Sequence, residues 1–285
     1  MNLLSGLEKF GLDISKGSNL FEDEDVKKRK TGGETVEAHI PTEDEFLLEK
    51  TMQCKICDKS FKTKIVKNGR VKRLEPDMDL RPRFQYIDTL KYDITSCPYC
   101  GYTAMNRYFE HIVPAQMKLI REEICSKFQP TMITDEKTIS YDEAIERHKL
   151  ALINTVVKKG KNSERAYTCL KIAWLLRGKA ETMPEGTEEE KKAKEACKQE
   201  EEMFYKQAYD GLMLATTKEM FPICGMEQST VDYMLSYMSY HFGKYEIASK
   251  YLASVITTPG ASRRMKDMAL ELKEQILEKL HKKKA

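Results

Sequence analysis

The chain lacks most of the signatures that would name a reaction. It has no Gly-x-Ser-x-Gly turn, no His-Glu-x-x-His helix and no phosphate-cradling P-loop. The common hydrolase and nucleotide-binding machineries are therefore not written into it, and no enzyme is expected. No run approaches the ~18 consecutive apolar residues of a membrane span. The stretch from Met1 to Leu12 has no basic region, no long apolar core and no small-residue cleavage site. A cytoplasmic protein without membrane contact is expected. Net charge is only +3 over 285 residues, too little for bulk charge to mark a nucleic-acid binder. Fourteen glycines and nine prolines are too few for a collagen-like or loop-dominated chain.

What is present points to a folded, mainly helical protein. Hydrophobic residues make up 41% and charged residues 33%, enough of each for a core and a solvated surface. The length allows about two domains. Eight cysteines need an explanation other than disulfides, because the cytoplasm keeps thiols reduced.

Four of the eight supply one. Cys54-Lys55-Ile56-Cys57 and Cys97-Pro98-Tyr99-Cys100 are two Cys-x-x-Cys pairs with 39 residues between them. Thiolates three positions apart grip one ion from a single turn. Two such turns complete a tetrahedron, the closed geometry of structural zinc. One Zn²⁺ on Cys54, Cys57, Cys97 and Cys100 is therefore expected. Gly101 after the second pair permits positive φ, and Asp58 holds the matching place after the first. Cys97–Cys100 also has the Cys-Pro-Tyr-Cys form of a glutaredoxin-type thiol site. That chemistry needs a helix in a thioredoxin-like unit, and none surrounds it. Four thiolates also leave no open position for substrate, which makes the role structural. The remaining cysteines, Cys125, Cys169, Cys197 and Cys224, read as small buried residues.

The flanks read as β-structure. Asn68-Gly69 predicts a tight hairpin turn that pairs Val66 with Val71. Leu90, Tyr92 and Ile94 alternate with polar residues as in a strand. The excess length between the pairs is expected at 75–86, broken by Pro76 and Pro82. Residues 54–75 hold eight basic side chains against two acidic ones. In the expected register Lys62, Lys64 and Arg73 share a face. They are the candidate nucleic-acid contacts, as phosphate contacts dominate such affinity. The plainer reading is that cations offset a doubly negative zinc–tetrathiolate and guard a strand edge.

From about Met105 the period becomes helical. A helix is expected over 106–128, with Pro114 as a kink or break. Ser140 is expected to cap the next helix with Glu143 as its capping-box partner. His148 falls on that helix's apolar side without ligand neighbours, as a packed histidine does. A long charged helix follows from about Glu188 to Lys218, laced by Glu188–Lys192 and Glu190–Lys194 pairs. Tyr141-Asp142-Glu143-Ala144-Ile145 resembles Tyr245-Glu246-Ile247-Ala248, 104 positions on, close to three tetratricopeptide periods. Met226, Met234 and Met238 with Tyr233, Tyr237 and Tyr240 are either inter-repeat core or an adaptable groove.

The fold expected is mainly α: a small β zinc-ribbon-like module followed by a tetratricopeptide-like antiparallel helical array. The domains are 1–44 as a flexible segment, 45–104 as the ribbon and 105–285 as the helical body. The two modules, built from different contacts, are expected to unfold separately. Leu3-Leu4-Ser5-Gly6-Leu7, the Cys54/Cys57 knuckle, Cys-Pro-Tyr-Cys-Gly-Tyr at 97–102 and Tyr-Asp-Glu-Ala-Ile at 141–145 together resemble a bacterial family. It is catalogued as domain of unknown function twenty-two twenty-five. The resemblance implies a zinc-ribbon-like head and a tetratricopeptide-like body, and no activity. The role expected is a scaffold or adaptor that presents its helical surface to a protein or peptide partner. A nucleic-acid factor using the basic hairpin and a thiol redox protein are the alternatives.

Overall fold

The computed structural model describes residues 39–130 and 137–284. Most of the expected flexible segment, with Leu3–Leu7 and the charge runs at 22–30, lies outside the described residues. The chain divides into two compact units, Met1–Pro41 and Thr42–Ala285. The second holds every element below.

The fold is mainly α with a small β module. Four short strands come first: β1 (Leu47–Gln53), β2 (Ser60–Val66), β3 (Ile94–Ser96) and β4 (Thr103–Met105). They form two separate antiparallel ladders, β1 with β2 and β3 with β4. The register sets Leu47 opposite Val66 and Met52 opposite Phe61 in one, and Ser96 opposite Thr103 in the other. Each Cys-x-x-Cys segment is thus itself the loop of a hairpin. The expected pairing of Val66 with Val71 across Asn68-Gly69 is not formed. β2 pairs with β1, and the chain after the turn at 67–70 leads away from that ladder, its residues 72–74 pairing with 83–85 instead. The strand expected across Leu90–Thr95 is shorter: Thr89–Tyr92 is a 3₁₀ turn capped by Asp88, and extension begins at Ile94.

Seven helices follow among the described residues: α1 (Pro114–Ile120), α2 (Tyr141–Val157), α3 (Asn162–Thr182), α4 (Glu188–Lys218), α5 (Gln228–His241), α6 (Tyr245–Thr257) and α7 (Arg263–Lys284). Pro114 starts a helix instead of kinking one. It stands at the first position of α1, where its missing N–H costs nothing, and α1 runs on into a π-type turn at Arg121–Cys125. Ser140 caps α2 as expected, its hydroxyl accepting from the Glu143 N–H at 3.1 Å, but the reciprocal half of the expected capping box does not form, since the Glu143 carboxylate pairs with Arg147. Thr187 and Glu190 form a capping box at the start of α4. Neither expected ion pair forms: the Glu190 carboxylate turns back onto the N–H groups of Gly186 and Thr187, Lys194 pairs with Glu185, and Glu188 pairs with Lys191 at 2.7 Å.

Short connections stack α2 on α3 and α3 on α4, then α5 on α6 and α6 on α7. α3 is the central helix. Every residue from Thr168 to Leu176 is buried, the pattern of a helix enclosed on all sides. Gly211 of α4 crosses it against Ala166, where an added Cβ would come within 2.8 Å of the alanine methyl. The core of α2–α5 also takes in Phe46, Leu47, Ile87, Leu90 and Tyr92 from the β module. The segment 75–88 is pinned to α3 by charge. Arg81, 2% exposed, reaches Glu181 at 3.0 Å and Asp88 at 3.5 Å. Asp79 accepts from Trp174 Nε1 at 2.9 Å and Arg177 at 2.8 Å. His148 is fully buried, its Nδ1–H donating to the Ala144 carbonyl at 2.7 Å. Met234, Met238 and Tyr233 are core residues, which settles that part of the methionine–tyrosine cluster as packing.

Candidate metal centre

The two knuckles are built alike, because the same spacing imposes the same turn. In the first, the Asp58 N–H donates to the Cys54 carbonyl at 2.9 Å and the Cys54 N–H to the Lys59 carbonyl at 3.0 Å. In the second, Gly101 donates to Cys97 at 3.1 Å and Cys97 to Tyr102 at 2.9 Å. Closing the turn requires a left-handed residue after each pair. Asp58 has φ 59° and Gly101 φ 73°, as the sequence leads one to expect. Gly101 has a second reason to be glycine: a Cβ there would lie 2.4 Å from the Phe128 ring.

The hairpins bring all four sulfurs together. Cys54 Sγ lies 3.6 Å from Cys100 Sγ, and Cys57 Sγ lies 3.7 Å from Cys97 Sγ. All four fall within 4.8 Å of one another. A disulfide would need about 2.05 Å. An ion held tetrahedrally by sulfurs at about 2.3 Å sets them about 3.8 Å apart, close to the two short separations here. The cluster can therefore hold a metal ion. Cys54 and Cys97 are wholly buried and Cys100 nearly so. The Ile56 N–H points back at Cys54 Sγ from 3.4 Å. Without a cation the thiols compete for one negative charge. Hydrogen bonds from the Cys100 and Cys54 thiols hold Cys97 well below the ordinary thiol range, while contacts with Cys54 and Cys97, and then burial, push Cys100 far above it. A central cation removes that conflict by favouring the thiolate at every position.

Support comes from elements whose sequence carries no sign of it. Met52, Ile56, Phe61, Tyr102, Phe109 and Ile120 enclose the sulfurs. The Arg121 guanidinium donates to the Ile56 carbonyl at 3.1 Å. Asn154 of α2 donates to the Gly101 carbonyl at 3.1 Å. Cys125, expected as an isolated small residue, packs half-buried against this cluster, and burial raises its thiol. Among the described residues no histidine joins the four-sulfur group.

The three candidate nucleic-acid residues are not placed as a set. Lys62 and Lys64 share the outer face of β2, opposite Phe61 and Thr63, which are buried. Lys62 there pairs across the ladder with Glu49 at 2.7 Å. Arg73 is outside that ladder, on an isolated bridge to Phe84. The expected common face depended on the Asn68-Gly69 hairpin and is lost with it.

A family model described as an uncharacterized protein conserved in bacteria (DUF2225) matches residues 47–276, from the first residue of β1 into α7. No curated protein and no solved structure matches the chain. No helix among the described residues is long and apolar enough to cross a membrane.

Proposed function

The chain belongs to this uncharacterised bacterial family, and for it we propose a zinc-stabilised interaction protein of the cytoplasm, not an enzyme. Cys54, Cys57, Cys97 and Cys100 would hold one Zn²⁺. The observation that carries the reading is the convergence of four sulfur donors, three of them buried; a tetrahedral ion held by all four would have its coordination filled by thiolates. When bound, the ion supplies charge neutralisation and a cross-link between the two hairpins. The residues of the chain do the rest. Both knuckles set their sulfurs by backbone hydrogen bonds, Arg121 and Asn154 fix the knuckle carbonyls, and the apolar shell excludes water. The helices, read as tetratricopeptide-like pairs, would then offer a rigid partner surface.

The test is metal analysis of the purified protein with its cysteine variants. About one zinc per chain is expected, lost in Cys97→Ser with loss of the β module's structure, because structural zinc contributes ~10–16 kcal/mol of folding free energy in small modules. Retention of the metal by a Cys54→Ser/Cys97→Ser double variant would overturn the assignment. Thiol-exchange activity in the zinc-loaded protein, lost in Cys100→Ser, would favour the redox alternative.

A further inference from the structure

A cavity of about 440 Å³ opens between the segment 73–82, α3, the start of α5 and the start of α7. That volume lies within the range of sites that take ligand or peptide side chains, about 300–1,000 Å³. Its walls are chemically one-sided. Trp174, Met226, Met234, Met265 and Met268 line it, so four of the chain's 15 methionines meet here. The tryptophan and Met234 are buried and form a fixed floor, while Met226, Met265 and Met268 are half-exposed. Methionine is unbranched and polarizable, so such walls adapt to differing apolar side chains. Pro76 and Pro82 stiffen the opposite rim.

The charge of the lining is also one-sided. It includes two guanidiniums, Arg73 and Arg264, and no carboxylate. Arg264 is already neutralised by Glu75 at 2.5 Å. Arg73 is exposed, and its side chain makes no hydrogen bond or ion pair among the described residues. Its place in the fold explains its availability. The backbone of 72–74 pairs with 83–85, which fixes the stem of Arg73 at the cavity mouth, while the acids of this region are engaged elsewhere: Asp77 by Arg83, Asp79 by Arg177 and Trp174. A guanidinium fork at the edge of an apolar cleft is matched by a carboxylate carried next to a large apolar side chain.

We propose that this cleft binds an acidic, apolar peptide segment of a partner protein, with leucine- or phenylalanine-sized side chains seated among the methionines and a neighbouring carboxylate on Arg73. This rests on the reading of the helical body as a partner surface and adds the chemistry of the partner. The cleft lies apart from the sulfur cluster and shares no lining residue with it.

The test uses the full-length, zinc-loaded protein and a short fluorescein-labelled peptide built of leucine, phenylalanine and glutamate. Two companions replace glutamate by lysine, or the apolar residues by serine. Fluorescence anisotropy should give a saturable complex with the first peptide alone. Arg73→Glu should weaken it at least about tenfold, because an attraction to the peptide carboxylate is replaced by a repulsion. Met265→Asp should weaken it similarly by placing a like charge in the cleft. Arg73 is exposed and Met265 half-exposed, so both variants should keep the wild-type circular dichroism. Equal binding of the lysine peptide, or an unchanged affinity in Arg73→Glu, would overturn the proposal. So would a salt-sensitive complex with single-stranded RNA that depends on Arg73 when no peptide binds. Because every arm is run on protein of measured zinc content, such a failure would leave the metal-centre assignment standing.

Discussion

Two residues show how single side chains are held by opposite demands. Gly101 must turn left-handed and must also leave room for Phe128. Gly101→Ala should cost about 1–2 kcal/mol from φ alone, with the ring displacement added to it. Chemical denaturation should show the full loss in Gly101→Ala. Adding Phe128→Ala should remove the crowding but not the backbone cost, so the two substitutions should not be additive. His148 is held neutral. Burial lowers its pKa from 6.5 to about 4, outweighing the Ala144 carbonyl, with Lys171 and Arg147 adding to the effect and Asp93 opposing it. The unfolded chain binds this proton below pH 6.5 and the native chain does not until about pH 4, so the contribution is complete above 6.5 and is lost as pH falls through that window. The loss should total about 3 kcal/mol. Between pH 6.5 and about pH 4 wild type should lose about that much stability relative to His148→Leu, the variant lacking this slope. Parallel curves would refute the assignment.

At the scale of elements, the start of α3 has an unusual cap. Its N-cap residue, Lys161, makes no side-chain hydrogen bond. The carboxylate of Glu219, just past the end of α4, takes that place, accepting from the Ser163 N–H at 3.0 Å and the Ser163 hydroxyl at 2.5 Å. A negative group at the positive end of a helix, with two charge-assisted hydrogen bonds, ties the end of one helix to the start of the helix it packs on. Glu219→Ala should destabilise by about 1–2 kcal/mol, and Glu219→Gln by less, since an amide oxygen still accepts. Urea denaturation checks the order. Amide exchange at residues 162–165 should rise before that of the middle of α3.

At the scale of the molecule, the β module and the helices are joined by more than the chain. Phe46, Leu47, Leu90 and Tyr92 are buried with Leu170, Trp174 and Leu176 in one core. Lys171 of α3 reaches Asp93 at 2.5 Å, and Tyr92 donates to Glu43 while accepting from the Ile139 N–H. Asn154 carries the connection into the second knuckle. This packing predicts coupled unfolding in place of the independent melting that a boundary at residue 104 implies. Adding a chelator should lower the thermal midpoint of the helical circular dichroism itself. A helical transition unmoved by complete loss of zinc would show that residues 105–284 stand alone.

The sequence by itself determined the local chemistry. Cysteine spacing located the four sulfurs that can hold a metal ion, because a Cys-x-x-Cys turn is a short-range object and its left-handed successor must be Gly, Asp or Asn. Ser140 as a cap, the limits of α4 and the apolar placement of His148 were legible for the same reason: each depends on neighbours within one or two turns. Strand pairing was not local and was misread. Asn68-Gly69 is a sound turn signal, and a turn does form there, but the chain beyond it pairs with 83–85, and β2 pairs with the 47–53 strand, which buries Met52 beside Phe61 and the sulfurs. The face shared by Lys62, Lys64 and Arg73 fell with that register, since a strand's neighbours decide which side chains align. Arg121, Asn154 and Cys125 reached the sulfur cluster and its knuckles with no mark in the sequence, from helices whose positions are set by packing. The methionine cleft was decided in the same way. Met226 and Met234 are eight positions apart, while Arg73 and Met265 come from distant parts of the chain, and only the stacking of α3, α5 and α7 makes them one wall.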